Sequence, residues 1–253
     1  MHPILFTVGS VTIFSFGLFL ALAILVGSLC FAILAKYSRL NLPGFFDNIL
    51  FMIFVGVVGA RIAYVITYPQ YFRFPQGSWT NAFALWQGGL VFYGAIFGGL
   101  FAVWLILRSE KQYILKWLNI LILGFLLAVA LGQTGCQFGG CALGQTSSAK
   151  LAIDGRLPIA LYEAIFSLLL FVFGLVMYLK KPLWRKDGKL FFVLSLVYLV
   201  GRVLCDYFRE PLVMWRGLSA SIIVDIVLIF AVTITMLIAA RVKMFKKDAE
   251  VVY

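Results

Sequence analysis

Residues 190–209 read LFFVLSLVYLVGRVLCDYFR, an apolar stretch long enough to cross a bilayer that nevertheless carries two arginines and an aspartate. A transmembrane helix needs about 20 mostly apolar residues to span the hydrocarbon core. Tyr198, Arg202, Asp206 and Arg209 are spaced so that they share one face of such a helix. Because charged side chains that face lipid are costly, this face is predicted to point into a bundle of helices.

Apolar stretches of this kind recur along the whole chain. The seven predicted spans are Val11–Ala35, Phe45–Tyr68, Ala84–Leu107, Trp117–Gln133, Leu157–Leu179, Leu190–Phe208 and Leu218–Ala240. Hydrophobic residues make up 63% of the 253 residues and charged residues 12%, against about 45–50% and about 25% in soluble domains. The sequence therefore predicts an all-α, polytopic membrane bundle that forms a single domain over residues 1–253, and it excludes a water-soluble enzyme.

Positive charge is distributed unevenly over the predicted loops. Two thirds of the 21 lysines and arginines lie on one set of alternate connections and in the tail 241–253, and about a quarter lie on the other set. Cytoplasmic loops retain Lys and Arg, so the N-terminus is predicted to be extracytoplasmic and the basic tail cytoplasmic. The net charge of +11 is explained by this topological asymmetry and by the attraction of basic loops to anionic lipid heads. It therefore gives no support to a nucleic-acid partner.

Five ionisable side chains are predicted at membrane depth on the extracytoplasmic side: Arg61, Glu163, Arg202, Asp206 and Asp225. At 1.5 Å per residue, the deepest lie about 10 Å from the ends of their spans. Ionisable residues inside a membrane usually mark a pathway or a site, so we expect a polar chamber that opens outward. The alternative is that Arg202 and Asp206 only neutralise each other as a pair within one helix.

Glycine and cysteine are concentrated in residues 131–144, which read LGQTGCQFGGCALG. Because glycine weakens helices, this segment is predicted to break the fourth span at the extracytoplasmic level and to form a wall of the site. The four cysteines are too scattered for a disulfide framework, and no pair has the spacing of zinc ligands. The other glycine-rich stretches, in the second and third spans, are predicted to allow close helix packing.

Five further segments are informative in chain order: HPILFTVG at 2–9, GARIAY at 59–64, WQGGLVFYG at 86–94, LPIALYE at 157–163 and GRVLCDYFR at 201–209. Together they resemble the prolipoprotein diacylglyceryl transferase family of the bacterial inner membrane. The resemblance implies a multi-pass enzyme that moves a diacylglyceryl group from phosphatidylglycerol, or another anionic phospholipid, onto the lipobox cysteine thiol of a preprolipoprotein. It implies no cofactor.

The resemblance also implies roles for individual residues. Arg202 would hold the lipid phosphate together with Arg61, while Asp206, at the position of a family Glu, or Glu163 would act as base. The other retained binding residues would be Tyr198 and Arg209. Alkyl transfer to sulfur needs a phosphate leaving group that cations stabilise and a thiol that is deprotonated nearby, which these residue types supply.

The chain departs from the family pattern at several positions. Tyr93 stands where the family has a His and joins the candidate catalytic residues. In the glycine-rich segment, Gln133, Cys136, Gly139 and Cys141 replace an Arg, two Asn and a Glu, whereas Gly140 is kept. Gln133 and Gly140 are therefore candidate substrate-binding residues.

Three alternatives remain open at this point. In a related membrane transferase, Cys141 or Cys136 would be a catalytic nucleophile that forms a covalent intermediate. In a non-catalytic homologue, the chamber would bind a lipid or a signal peptide without turnover. An ion or proton transporter is disfavoured, because the cytoplasmic half of the bundle lacks the ionisable residues that a relay needs.

Overall fold

The computed structural model describes residues 4–8, 11–40, 45–72, 78–84, 89–108, 114–141, 143–148, 152–185, 188–210, 214–215 and 218–251. In these ranges the α-helices are α1 (Ser15–Tyr37), α2 (Phe45–Thr67), α3 (Phe92–Leu107), α4 (Ile114–Gly139), α5 (Ile159–Lys180), α6 (Pro182–Arg185), α7 (Lys189–Tyr207) and α8 (Ala220–Val251). Two 3₁₀ helices, Pro69–Tyr71 and Trp79–Phe83, separate α2 from α3. Two antiparallel hairpins pair β1 (Ile4–Val8) with β2 (Val11–Phe14), and β3 (Met214–Trp215) with β4 (Leu218–Ser219).

Six of the described helices, α1, α2, α4, α5, α7 and α8, are long and apolar enough to cross a bilayer. The α3 helix is also apolar but has only 16 residues, against the roughly 20 that a span needs. It begins at Phe92 rather than near the predicted Ala84, because Gly89 has a φ of 76° and Val91 is extended. The predicted helical membrane bundle is confirmed at the level of six long apolar helices, while the seventh span and the orientation stay predictions.

The start of the first predicted span differs from the structure. Val11–Phe14 is a strand, paired with the first described residues so that Ile4 faces Phe14 and Thr7 faces Thr12. The helix begins only at Ser15. β-branched residues favour a strand here, but a continuous apolar run hides the change from strand to helix in the sequence.

The chain divides into two compact units. The first contains Met1–Ser38 and Leu115–Tyr253, and in it α7 packs against both α5 and α8. The second contains Arg39–Ile114, and in it α2 packs along α3. The prediction of one membrane domain stays a prediction.

Glycines allow α2 and α3 to approach closely in the second unit. A Cβ added at Gly59 would lie 2.5 Å from the carbonyl oxygen of Gly94, and one at Gly98 would lie 3.2 Å from the Cα of Gly56. Side chains at these positions would force the two backbones apart. The predicted packing through small residues is therefore confirmed for this helix pair.

The glycine-rich segment is helical for much of its length, so the prediction that it breaks the fourth span is wrong. The α4 helix runs to Gly139, and Gly140, with a φ of 72°, ends it. Gly135 and Gly139 pack against α1: a Cβ at Gly135 would overlap the Cβ of Phe19, and one at Gly139 would lie 3.1 Å from that of Phe16. This packing outweighs the helix penalty of about 1 kcal/mol per glycine.

Candidate functional site

A charged cluster lies in the first unit, where the start of α5, the end of α7 and the start of α8 meet. Its members are Glu163 of α5, Tyr198, Arg202 and Asp206 of α7, Arg209 just beyond α7, and Asp225 of α8. Glu163 and Asp225 have no exposed surface, and the three side chains of α7 are 2–4% exposed. The prediction that the polar face of this helix points into the bundle is confirmed.

Glu163 is the central acceptor of the cluster. Its Oε1 accepts hydrogen bonds from the Tyr198 hydroxyl at 3.0 Å and from Arg202 Nη1 at 3.4 Å. Its Oε2 accepts one from Arg209 Nη2 at 2.8 Å. A buried carboxylate is tolerated only when its oxygens are paired in this way, so Glu163 ties α5 to both arginines.

The ion pairs link three helices. Arg202 Nε lies 3.4 Å from Asp225 Oδ2, in addition to the contact of Arg202 with Glu163. Asp206 Oδ1 lies 2.9 Å from Arg209 Nη1. Arg202 and Asp206 are thus each paired with other residues, which argues against the alternative that they simply neutralise each other within α7.

Asp206 is a carboxylate of the cluster with acceptor capacity left. Both of its oxygens are buried, and neither has a hydrogen-bond partner among the described residues, although one lies within ion-pair distance of Arg209. An ionised carboxylate can accept about four hydrogen bonds. Arg209 is the more exposed of the two cations, with 17% of its side chain accessible against 4% for Arg202. The cluster can therefore offer a cation to an entering anion and an oxygen to a proton.

Backbone pairing holds Arg209 in place, a feature that sequence reasoning missed. Gly144 pairs with Arg209 as an antiparallel bridge, and the N–H of Gln145 donates to the carbonyl oxygen of Phe208 at 3.0 Å. On the other side, the N–H of Glu210 donates to the carbonyl of Leu143 at 3.0 Å. A Cβ at Gly144 would overlap the carbonyl oxygen of Leu157, so this glycine is the one sequence signal that could have found the contact.

Cys136 and Cys141 form a disulfide, which the sequence did not predict because its four cysteines are too scattered for a disulfide framework. The chain turns back at Gly140 and brings the two Cα atoms to 5.1 Å, within the range that a disulfide requires. The Cys141 N–H also donates to the carbonyl of Cys136 at 3.1 Å. A disulfide sulfur is not a nucleophile, so the thiolate that the covalent alternative needs is absent from this form of the protein.

Arg61 lies in the second unit, on α2, and is 7% exposed. Its guanidinium donates to the carbonyl oxygens of Asn81 at 2.6 Å, Ala82 at 2.9 Å, Gly89 at 3.0 Å and Ala84 at 3.1 Å. These bonds fasten α2 to the segment that leads into α3. The prediction that Arg61 helps to hold the lipid phosphate stays a prediction.

The other candidates are placed as follows. Tyr93 is the second residue of α3, in the second unit, with its ring edge-on to Phe92. Gln133 lies in α4, and its Oε1 is buried without a hydrogen-bond partner among the described residues. In the motif segments, residues 2–3, 9 and 86–88 lie outside the described part, as does residue 142 of the glycine-rich segment. Within that part, no group of three His, Cys, Asp or Glu side chains is arranged to hold a metal ion.

Long apolar helices with a cluster of charges buried between three of them define a polytopic membrane protein with a polar site inside its helices. A sequence profile of the family described as prolipoprotein diacylglyceryl transferase matches residues 3–238. The chain belongs to this family and is a transferase of that type, so the resemblance found in the sequence is confirmed.

Individual relatives carry the name phosphatidylglycerol–prolipoprotein diacylglyceryl transferase. The protein of Clostridium tetani is 27% identical over 227 residues, which cover 83% of this chain and 86% of the relative. That of Synechocystis sp. is 26% identical over 245 residues, covering 90% and 85%. That of Dehalococcoides mccartyi is 27% identical over 243 residues, covering 90% of each chain. The similarity thus extends over nearly the full length of both partners.

Proposed function

We propose that this protein transfers a diacylglyceryl group from phosphatidylglycerol, or another anionic phospholipid, to the thiol of a lipobox cysteine in a preprolipoprotein. In this reaction the sulfur forms a thioether bond to the glyceryl carbon, the carbon–oxygen bond to the phosphate breaks, and glycerol phosphate leaves. The names of the relatives support the substrates. The charged cluster supports the chemistry, because it combines cations with a carboxylate that can take the thiol proton.

The arginines of the cluster are proposed to hold the phosphate. A guanidinium presents a planar fork of N–H donors that matches phosphate oxygens. Arg209 is partly exposed and would meet the phosphate first, with Arg202 behind it, where both stabilise the charge that develops on the leaving group. Tyr198, Gln133 and Gly140 complete the proposed set of binding residues, whereas Arg61, which donates to four backbone carbonyls, is proposed to support the segment before α3.

Asp206 is proposed as the base, and this is the observation that carries the mechanism. Neither of its oxygens has a hydrogen-bond partner among the described residues, although Oδ1 is ion-paired with Arg209, whereas both oxygens of Glu163 accept hydrogen bonds from Tyr198, Arg202 and Arg209. The thiolate, not the thiol, is the nucleophile, so the reaction needs an acceptor with capacity left beside the partly exposed cation. Glu163 then positions the arginines, and Tyr93 remains a proposed catalytic residue by its place in the motif.

The proposed location is the bacterial inner membrane, with seven spans and the charged cluster on the extracytoplasmic side. The uneven distribution of Lys and Arg supports this orientation. So does the disulfide, because such bonds persist outside the reducing cytoplasm and this one lies at the same end of α4 as the contact with Arg209.

The proposal is tested with the purified protein in phosphatidylglycerol vesicles and a synthetic lipobox peptide. We expect the peptide to gain the mass of one diacylglyceryl group, while a matched peptide with Ser in place of Cys gains none. Failure of the wild-type protein to modify the peptide, with the lipid bound but unchanged, would favour the non-catalytic homologue instead. The same assay in vesicles of phosphatidylethanolamine alone tests whether an anionic donor is required, in which case the peptide is not modified.

A further inference from the structure

We propose that the Cys136–Cys141 disulfide is a positioning device for Arg209. It holds the last turn of α4 and the residues that follow in the form that clamps Arg209 against two carboxylates of the cluster, Glu163 and Asp206. The kinetic part of the test rests on the proposed function, whereas the structural part does not.

The disulfide constrains a point at which the chain would otherwise open readily. Helix ends lack part of their backbone hydrogen bonds and fray. Here α4 ends at Gly139, Gly140 takes the left-handed conformation, and the backbone bond from the Cys141 N–H to the carbonyl of Cys136 closes the turn. Cys141 is exposed and Cys136 half-buried, so packing alone holds this turn weakly. The covalent bond limits how far it can open.

The residues directly after Cys141 make the clamp. Leu143 and Gln145 are hydrogen-bonded to Glu210 and Phe208, the two neighbours of Arg209, and Gly144 pairs with Arg209 itself. Only one residue separates Cys141 from Leu143, so the position of the disulfide determines where the clamp begins.

Arg209 lies two residues beyond the end of α7 at Tyr207, where the backbone bond from its N–H to the carbonyl of Asp206 is long, at 3.3 Å, so the clamp is the second support of its backbone. Its two Nη atoms reach Glu163 Oε2 at 2.8 Å and Asp206 Oδ1 at 2.9 Å. A shift of the clamp would therefore move the guanidinium of Arg209 relative to the carboxylate of Asp206.

The structural test compares the intact protein in phosphatidylglycerol vesicles before and after reduction with dithiothreitol. Reduction breaks the S–S bond, each sulfur gains one electron and one proton, and the reagent becomes a cyclic disulfide. In hydrogen–deuterium exchange we expect the amides of Gln145 and Glu210 to exchange about tenfold faster after reduction, as local opening becomes easier. The amide of Phe191, bonded to Asn119 at the other end of α7, should not change.

Variants separate the disulfide from other effects of the reagent. Cys136→Ser/Cys141→Ser should exchange like the reduced wild-type protein and should not respond to dithiothreitol. Cys30→Ser removes a free cysteine of α1 and is the matched control, expected to behave like the wild-type protein in both states. Equal exchange at Gln145 and Glu210 in the oxidised and reduced proteins would overturn the proposal.

The kinetic test asks whether the effect acts through Arg209. Opening the disulfide should raise KM for phosphatidylglycerol by about fivefold, because a displaced Arg209 binds the lipid phosphate less tightly. The change in kcat should be smaller. In Arg209→Gln, which lacks the cation to be positioned, the same opening should leave the already raised KM unchanged. An equal further rise of KM in Arg209→Gln, or a covalent lipid adduct on either reduced cysteine, would overturn the positioning role. An inactive wild-type protein with the expected exchange pattern would overturn the proposed function and leave the clamp standing.

Discussion

Arg61 and Arg202 are both buried arginines on apolar helices, but their charges are compensated in different ways. Arg61 gives its N–H groups to four backbone carbonyls before α3. Arg202 faces the carboxylates of Glu163 and Asp225 and the hydroxyl of Tyr198. Backbone carbonyls cannot leave without unfolding their segment, whereas a carboxylate can give way to another anion. A buried charge therefore indicates a site only when its partners can be exchanged.

Removing Arg202 should have the largest effect and tests the difference between the two arginines most directly. In Arg202→Ala we expect the transfer rate to fall about 100- to 1,000-fold, the range for the loss of one donor to a developing anion. The variant also removes the arginine that Asp225 faces and one of the two that pair with Glu163, which can cost about 3–5 kcal/mol of stability. The rate of peptide modification and the melting temperature are measured together.

Arg202→Lys keeps the charge but loses the planar fork, and it controls for the loss of stability. We expect a melting temperature near that of the wild-type protein and a rate reduced about tenfold. Full activity in both variants would remove Arg202 from the mechanism.

Replacing Asp206 tests whether this carboxylate is the base. Asp206→Asn should lower kcat about 100-fold, a typical contribution of general base catalysis. Asp206→Glu should retain most of the activity, because the carboxylate is restored. A loss of kcat in Glu163→Gln that is larger than in Asp206→Asn would make Glu163 the base.

Arg61 is the opposite case: we expect its replacement to lower the stability of the protein and to change the transfer reaction little. In Arg61→Lys the ammonium cannot reach all four carbonyls, and at about 1 kcal/mol for each lost bond the free energy of unfolding should fall by about 2–3 kcal/mol. The melting temperature reports this loss, while KM for phosphatidylglycerol should stay within about twofold. A raised KM at an unchanged melting temperature would instead place Arg61 at the lipid phosphate.

The sequence was sufficient to predict the inward face of α7. Tyr198, Arg202 and Asp206 follow the helical period within an apolar run, and side chains of this kind have few places to lie other than inside a bundle. Counting residues from the ends of the spans also placed Glu163 and Asp225 near the same level. Both inferences need only a regular helix, which is why they succeeded.

The sequence could not predict which charges pair. The partner of Asp206 is Arg209, and this choice depends on irregular backbone held by residues 143–145. In the same way, the helical state of residues 131–139 depends on the packing of Gly135 against Phe19. The disulfide depends on where that helix ends. Each of these follows from tertiary contacts that composition and periodicity do not contain.

The smallest expected effect concerns Arg156, which forms an ion pair with Glu210 at the edge of the same clamp. The two side chains are 33% and 56% exposed, and exposed pairs contribute about 0–1 kcal/mol. Arg156→Ala should therefore change the melting temperature by less than about 4 °C and the transfer rate by less than about twofold. Glu210→Gln is the matched control and should behave alike. A transfer rate reduced more than about tenfold in both variants would contradict this expectation. It would show that charges outside the three helices contribute to function, and that an exposed ion pair in this protein can be functional.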